Sequence, residues 1–129
     1  MAQLRDEVAT AAATRAAIER FNAAFDRHDV AAVMAAMTDD CVFENTYPAP
    51  DGTRYAGQAA VRGFWESFFR ESPQAVITVE DLFAAGDRCT VRWVYRWGGT
   101  GSAAGHVRGV DVFRVRDGKV AEKLSYVKG

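Results

Sequence analysis

Apolar and polar positions recur in two different rhythms along this chain, and the change comes near residue 75. Before it the rhythm is helical. Over residues 3–27, Val8, Ala11, Ile18, Phe21 and Phe25 recur near a 3.6-residue period, which predicts one long, Ala-rich amphipathic helix. Asp29 is placed to cap a short second helix through its carboxylate, with Val30, Val33, Met34 and Met37 as the buried stripe. His28, between the two, reads as a solvated turn residue. Val61, Phe64, Trp65 and Phe68 mark a third helix, ended at Ser72-Pro73 because proline cannot continue it.

Beyond residue 75 the period becomes two. Strands are expected over residues 75–85, 88–97, 104–116 and 119–127, joined by Gly86-Asp87, a Gly-rich stretch over 98–102, and Asp117-Gly118. The Asp-Gly pair is the strongest hairpin signal, since both central residues of such a turn must tolerate positive φ. Three helices, with a short strand ahead of the third, followed by an antiparallel meander, make an α+β domain whose helices cover one face of a curved sheet. That short strand opens the segment CVFENTYPAPDGTRYAG, residues 41–57, and ends in Glu44-Asn45-Thr46-Tyr47, four hydrogen-bonding side chains in a row. A strand that turns polar at one end, in a protein with an apolar interior, is expected to line a ligand pocket.

Strand parity says which side chains reach that pocket. Alternate residues share a face, so Trp93, Tyr95 and Trp97 lie together on the concave side, opposite Arg92, Val94 and Arg96. Asp111 shares its face with Phe113, a core-like residue expected to line the pocket with the aromatic set, and points inward. A carboxylate there is costly unless a partner or a ligand uses it. If Phe43 is core, Asn45 and Tyr47 face the pocket as well, and Trp65 joins them from the third helix. Lys123 enters the same space by parity and would pair with Asp111. In a regular strand one of Glu80 and Asp81 must also face inward. The opposite face carries Val110 and Val112 among arginines, which points to burial against a second copy of the chain through the sheet.

Composition narrows the class. At 129 residues, 49% hydrophobic and 12% aromatic, the chain is one domain with a sizeable core. Sixteen basic and 17 acidic residues give a net charge of −1 with no basic cluster, so no nucleic-acid partner is expected. Residues 1–20 hold acids and no apolar segment, and no run reaches membrane-spanning length, so the expectation is a cytoplasmic protein without a membrane partner. Cys41 and Cys89 stand alone in apolar runs and read as small buried hydrophobes in a reducing compartment. With neither a Gly-rich phosphate loop nor a metal-ligand cluster, no cofactor and no metal are expected.

The order of elements, the entry Asp39-Asp40-Cys41-Val42-Phe43, the Tyr55-Ala56-Gly57 lead into the third helix and the hairpin from Asp111 to Val120 together resemble the nuclear transport factor 2-like superfamily. More narrowly the chain resembles its SnoaL-like branch, which includes polyketide cyclases, beside ketosteroid isomerase and limonene epoxide hydrolase. The resemblance spans nearly the whole chain and implies a cone: a strongly bent sheet closed by helices around a deep pocket, often in a homodimer. This scaffold serves enzymes and binding modules alike.

Residue by residue, the resemblance discriminates among chemistries. Ketosteroid isomerase-like sites need an aspartate base where this chain has Asn45 and a helix-one tyrosine where it has Phe21, although Asp111 falls on the acid of their oxyanion hole. Epoxide hydrolase-like sites need two aspartates bridged by an arginine. Here Arg108 lies by parity on the face opposite Asp111, and the last strand offers Lys123 and Ser125 where an acid is wanted. Dehydratase-like sites use two pocket histidines, against His106 alone. The cyclases resemble this chain most, through a single aspartate that shuttles a proton. Two readings follow: a cofactor-free acid/base enzyme of cyclase or isomerase type using Asp111 on a hydrophobic small molecule, with Asn45, Tyr47 and Tyr95 orienting an oxygen; or a binding module in which Asp111 and Lys123 are only an ion pair. A hydrolase of the epoxide type is a third.

Overall fold

The computed structural model describes residues 2–99 and 101–129. Its elements run α1 (Ala2–Asp26), α2 (Val30–Ala35), β1 (Met37–Glu44), β2 (Arg54–Ala56), α3 (Gln58–Glu71), β3 (Val76–Ala85), β4 (Arg88–Trp97), β5 (Gly105–Arg116) and β6 (Lys119–Val127). The α+β class and the three N-terminal helices are as the periodicity indicates. One six-stranded mixed sheet has the order β2-β1-β6-β5-β4-β3, and it bends around the helices as a cone that does not close. All neighbours are antiparallel except β1 and β6, whose parallel pairing brings the first strand against the last.

Local chemistry sets the boundaries. The Asp29 carboxylate accepts from the Ala32 N–H at 3.0 Å and starts α2. Asp117 and Gly118 both adopt positive φ, 54° and 73°, and close the β5–β6 hairpin. Gly98 and Gly99 also take positive φ in the β4–β5 connection, of which Thr100 lies outside the described residues. The Gln58 side-chain amide donates to the Thr38 carbonyl at 2.9 Å and reaches the Met34 and Met37 carbonyls, tying the start of α3 to the α2–β1 corner.

Several expectations change. The buried face of α1 begins at Thr14, whose hydroxyl donates to the Gly86 carbonyl at 2.7 Å. Val8 is exposed. Met37 belongs to β1, which starts four residues before Cys41, rather than to the stripe of α2. Strand β2 is three residues long and alternates too briefly to show a period. His28 is not simply solvated: at φ 54° its ring stacks on Phe69 at 4.4 Å. The sheet's inner face and the helices meet in a core centred on Ile18, Phe21, Val33, Trp65, Phe43 and Phe113. Burial of such side chains contributes roughly 1.5–3 kcal/mol each.

Candidate functional site

Between the inner face of the sheet and helices α1 and α3 lies a cavity of about 300 Å³, at the small end of the range for ligand sites. Its wall is aromatic for a reason written across two strands. Trp93 pairs with Gly109 and Trp97 with Gly105, so each indole faces a residue without a side chain. A Cβ at Gly109 would stand 2.5 Å from the Trp93 ring and collide with the Tyr126 carbonyl; one at Gly105 would stand 2.6 Å from the Trp97 ring. The two indoles therefore lie over the β5 backbone, as aromatic residues cover glycine in sheets. Between them Tyr95 leans toward Phe68 of α3, 6.0 Å between ring centroids.

At the deep end the cavity becomes polar. Asp111 and Ser125 are cross-strand partners, and Lys123 is two residues before Ser125 on the same face. The Ser125 hydroxyl donates to Asp111 Oδ1 at 2.6 Å. Lys123 Nζ donates to Ser125 Oγ at 3.0 Å and stands 3.1 Å from Asp111 Oδ2. This closed triangle is buried, with Asp111 at 7% and Lys123 at 8% relative exposure. The ammonium also sits 4.7 Å from the centre of the Phe43 ring and 5.5 Å from that of Trp65, inside cation–π range. Charge is thus compensated where water is scarce, the condition under which a buried ion pair is tolerated.

Asn45, Tyr47, Trp65, Trp93, Tyr95, Trp97, Asp111 and Lys123 all line the cavity. Their depths differ. Tyr47 and Trp97 form the rim, 76% and 40% exposed, whereas Trp65 and Trp93 are buried. Asn45 turns its side-chain oxygen to the Thr46 N–H at 2.9 Å, so the polar end of β1 partly serves its own backbone. Phe113 is not in the wall: it is fully buried beneath the floor against Phe21, and meets the site only by lying 6.0 Å below Lys123 Nζ.

Both Glu80 and Asp81 face outward, against the expectation that one must turn in. A bulge between Val79 and Asp81 adds a residue to β3, so Val79 and Leu82 keep the inner side. Glu80 then meets Arg108 at 3.1 Å on the outer face, which takes that arginine away from Asp111, and His106 is exposed on the same side. Four polar wall residues are not marked by the sequence pattern: Thr46, Ser125, and Asn22 and Asp26 of α1. Asn22 and Asp26 flank Phe21 and Phe25 at helical spacing and form a polar edge to the buried stripe. Burial raises the Asp26 carboxyl above its usual value, and the nearby His28 opposes this. The indole N–H groups of Trp65 and Trp93 are buried without a hydrogen-bond acceptor, an unusual condition for buried donors. Among the described residues, no three His, Cys, Asp or Glu side chains gather to hold a metal ion, and no helix is long and apolar enough to cross a membrane.

A SnoaL-like domain model matches residues 18–123, most of the chain. The chain belongs to the SnoaL-like family. Among solved structures this SnoaL-like domain is similar to an NTF2-like protein of unknown function from Mesorhizobium loti, at 43% identity over 92% of this chain and 93% of that one, with a TM-score of 0.79. It shares its fold with a putative ketosteroid isomerase from Kribbella flavida, at 21% identity, 92% and 80% coverage and a TM-score of 0.76. It likewise shares it with a putative polyketide cyclase from Xanthomonas campestris pv. campestris, at 20% identity, 92% and 93% coverage and a TM-score of 0.72. No curated protein sequence matches the chain.

Proposed function

We propose that this SnoaL-like domain is a cofactor-free acid/base enzyme of cyclase or isomerase type, acting on a hydrophobic carbonyl compound held in the aromatic cavity. The observation that carries the reading is a buried carboxylate, Asp111, at the end of an apolar pocket and in hydrogen-bond reach of a hydroxyl and an ammonium. In this scheme Asp111 takes a proton from the carbon beside the carbonyl. Lys123 stabilises the negative charge that builds on oxygen. Ser125 holds the carboxylate in place, and Asn45, Tyr47 and Tyr95 orient the substrate nearer the mouth. The resulting enolate either attacks a second carbonyl of the same molecule or is reprotonated elsewhere.

The same reading takes the outer face of the sheet as the contact with a second copy. Val110, Val112 and Leu124 are half-buried there and Tyr126 is 55% exposed, an apolar strip within an arginine-rich surface. The two free, buried cysteines suit a reducing, cytoplasmic setting. A second reading, a binding module without chemistry, is favoured by one observation: Lys123 already neutralises Asp111.

Deuterium uptake into 2-tetralone, a bicyclic ketone with acidic C–H bonds, separates the two. The enzyme reading expects the protein to speed exchange in D2O, and Asp111→Asn to slow it by about 10²-fold or more. A binding module would leave exchange at the rate of buffer alone.

A further inference from the structure

We infer that Lys123 is also a covalent centre, the amine that forms an imine with an aldehyde or ketone substrate; the inference rests on the acid/base reading of the same pocket. The chain has thirteen arginines and three lysines. Lys119 and Lys128 are exposed, while Lys123 is the one cation lining the cavity among the described residues. Arginine, favoured elsewhere on this chain for positive charge, stays protonated and forks to two acceptors; lysine can give up its proton and become a nucleophile. The residue chosen for the buried position is the one that can react.

The surroundings suit that chemistry. Three rings, Phe43, Trp65 and Phe113, surround the ammonium within 4.7–6.0 Å. These rings fix the nitrogen at the cavity wall, where a carbonyl bound in the pocket would meet it. Asp111 Oδ2, at 3.1 Å, is the acceptor, and Ser125, bonded to both groups, lies on the path between them.

The steps balance. Lys123 Nζ passes one proton to Asp111. Its lone pair then forms a bond to the carbonyl carbon, and the π pair moves to oxygen. A proton passes from nitrogen to that oxygen through Ser125, giving a neutral carbinolamine. Asp111 returns its proton to the hydroxyl, the C–O bond breaks, and water leaves as nitrogen forms the C=N bond. The ammonium and the carbonyl have become a protonated imine and water, with Asp111 again ionised and placed to remove the α-proton. The imine draws electrons more strongly than the carbonyl did, so the enamine forms more readily. The substrate class that follows is an aldehyde or unhindered ketone with an α-hydrogen.

Reductive trapping tests this on the intact protein. Butanal and, separately, 2-tetralone are incubated with it in the presence of cyanoborohydride, and peptide mass spectrometry locates the adducts. The inference expects Lys123 to be modified in preference to Lys119 and Lys128 by about tenfold or more, although it is the most buried of the three. Labelling that follows exposure, with Lys123 spared, overturns it. Lys123→Arg provides the second readout, since it keeps a cation for Asp111 and removes the nucleophile. Loss of tetralone exchange in folded Lys123→Arg supports the covalent route. Exchange that persists there while still depending on Asp111 overturns it and leaves the simpler acid/base reading standing.

Discussion

Asp111 and Lys123 hold each other in a place that would reject either alone, so single substitutions there mix two effects. Asp111→Asn removes a proton carrier and also strands an ammonium, and breaking a buried pair in this way costs about 3–5 kcal/mol. A melting temperature well below wild type is therefore expected for Asp111→Asn, and recovery of most of it in the double variant Asp111→Asn, Lys123→Met, which leaves no charge to compensate. Calorimetry of the three proteins checks this. Cys89 allows a separate test of burial. Desolvation pushes its thiol up to about 11 from 9.0, so between those values the folded state keeps a proton that the unfolded chain has lost. Stability should fall as pH rises through that window, by up to about 3 kcal/mol from this thiol. Urea titrations at pH 8.5 and 11 should show the fall shrinking in Cys89→Ala.

The cavity wall is a property of two strands read together. The period-two rhythm places Trp93, Tyr95 and Trp97 inward, and Asp111 with them, from parity alone. What parity does not carry is register: only the pairing of β4 with β5 shows that Gly105 and Gly109 make room for the indoles. The same limit explains Glu80 and Asp81, since a bulge adds a residue to one strand and no periodicity announces it. It also explains Ser125, whose bond to Asp111 depends on the β5–β6 register. Asn22 and Asp26 escaped because a helix carries polar residues at the edge of its buried stripe for many reasons. Gly109→Ala and Gly105→Ala separate the two indole contacts. The first meets backbone as well as ring and should lose about 1–3 kcal/mol, with Trp93 driven into the cavity. The second meets only the side chain of half-exposed Trp97, which can swing away, so its denaturation midpoint should stay near wild type. Equal losses in chemical denaturation would show that the indoles do not lie as described.

At the scale of the molecule, the arrangement is a cone with an aromatic inner face and one ion pair at its depth, and the proposed contact with a second copy is through its outer face. Light scattering at micromolar concentration should return twice the 14.1 kDa chain mass, and Tyr126→Arg on the outer strip should shift it toward the monomer. The central claim is that the deep end of the cone moves protons. The most direct measurement of it is deuterium exchange into 2-tetralone by wild type, by Asp111→Asn and by the Asp111→Asn, Lys123→Met double variant, each with its melting temperature. The account predicts exchange above buffer for wild type, loss by about 10²-fold or more in both variants, and recovery of melting temperature without recovery of exchange in the double. Wild-type exchange no faster than buffer, or exchange restored together with stability in the double variant, would contradict it.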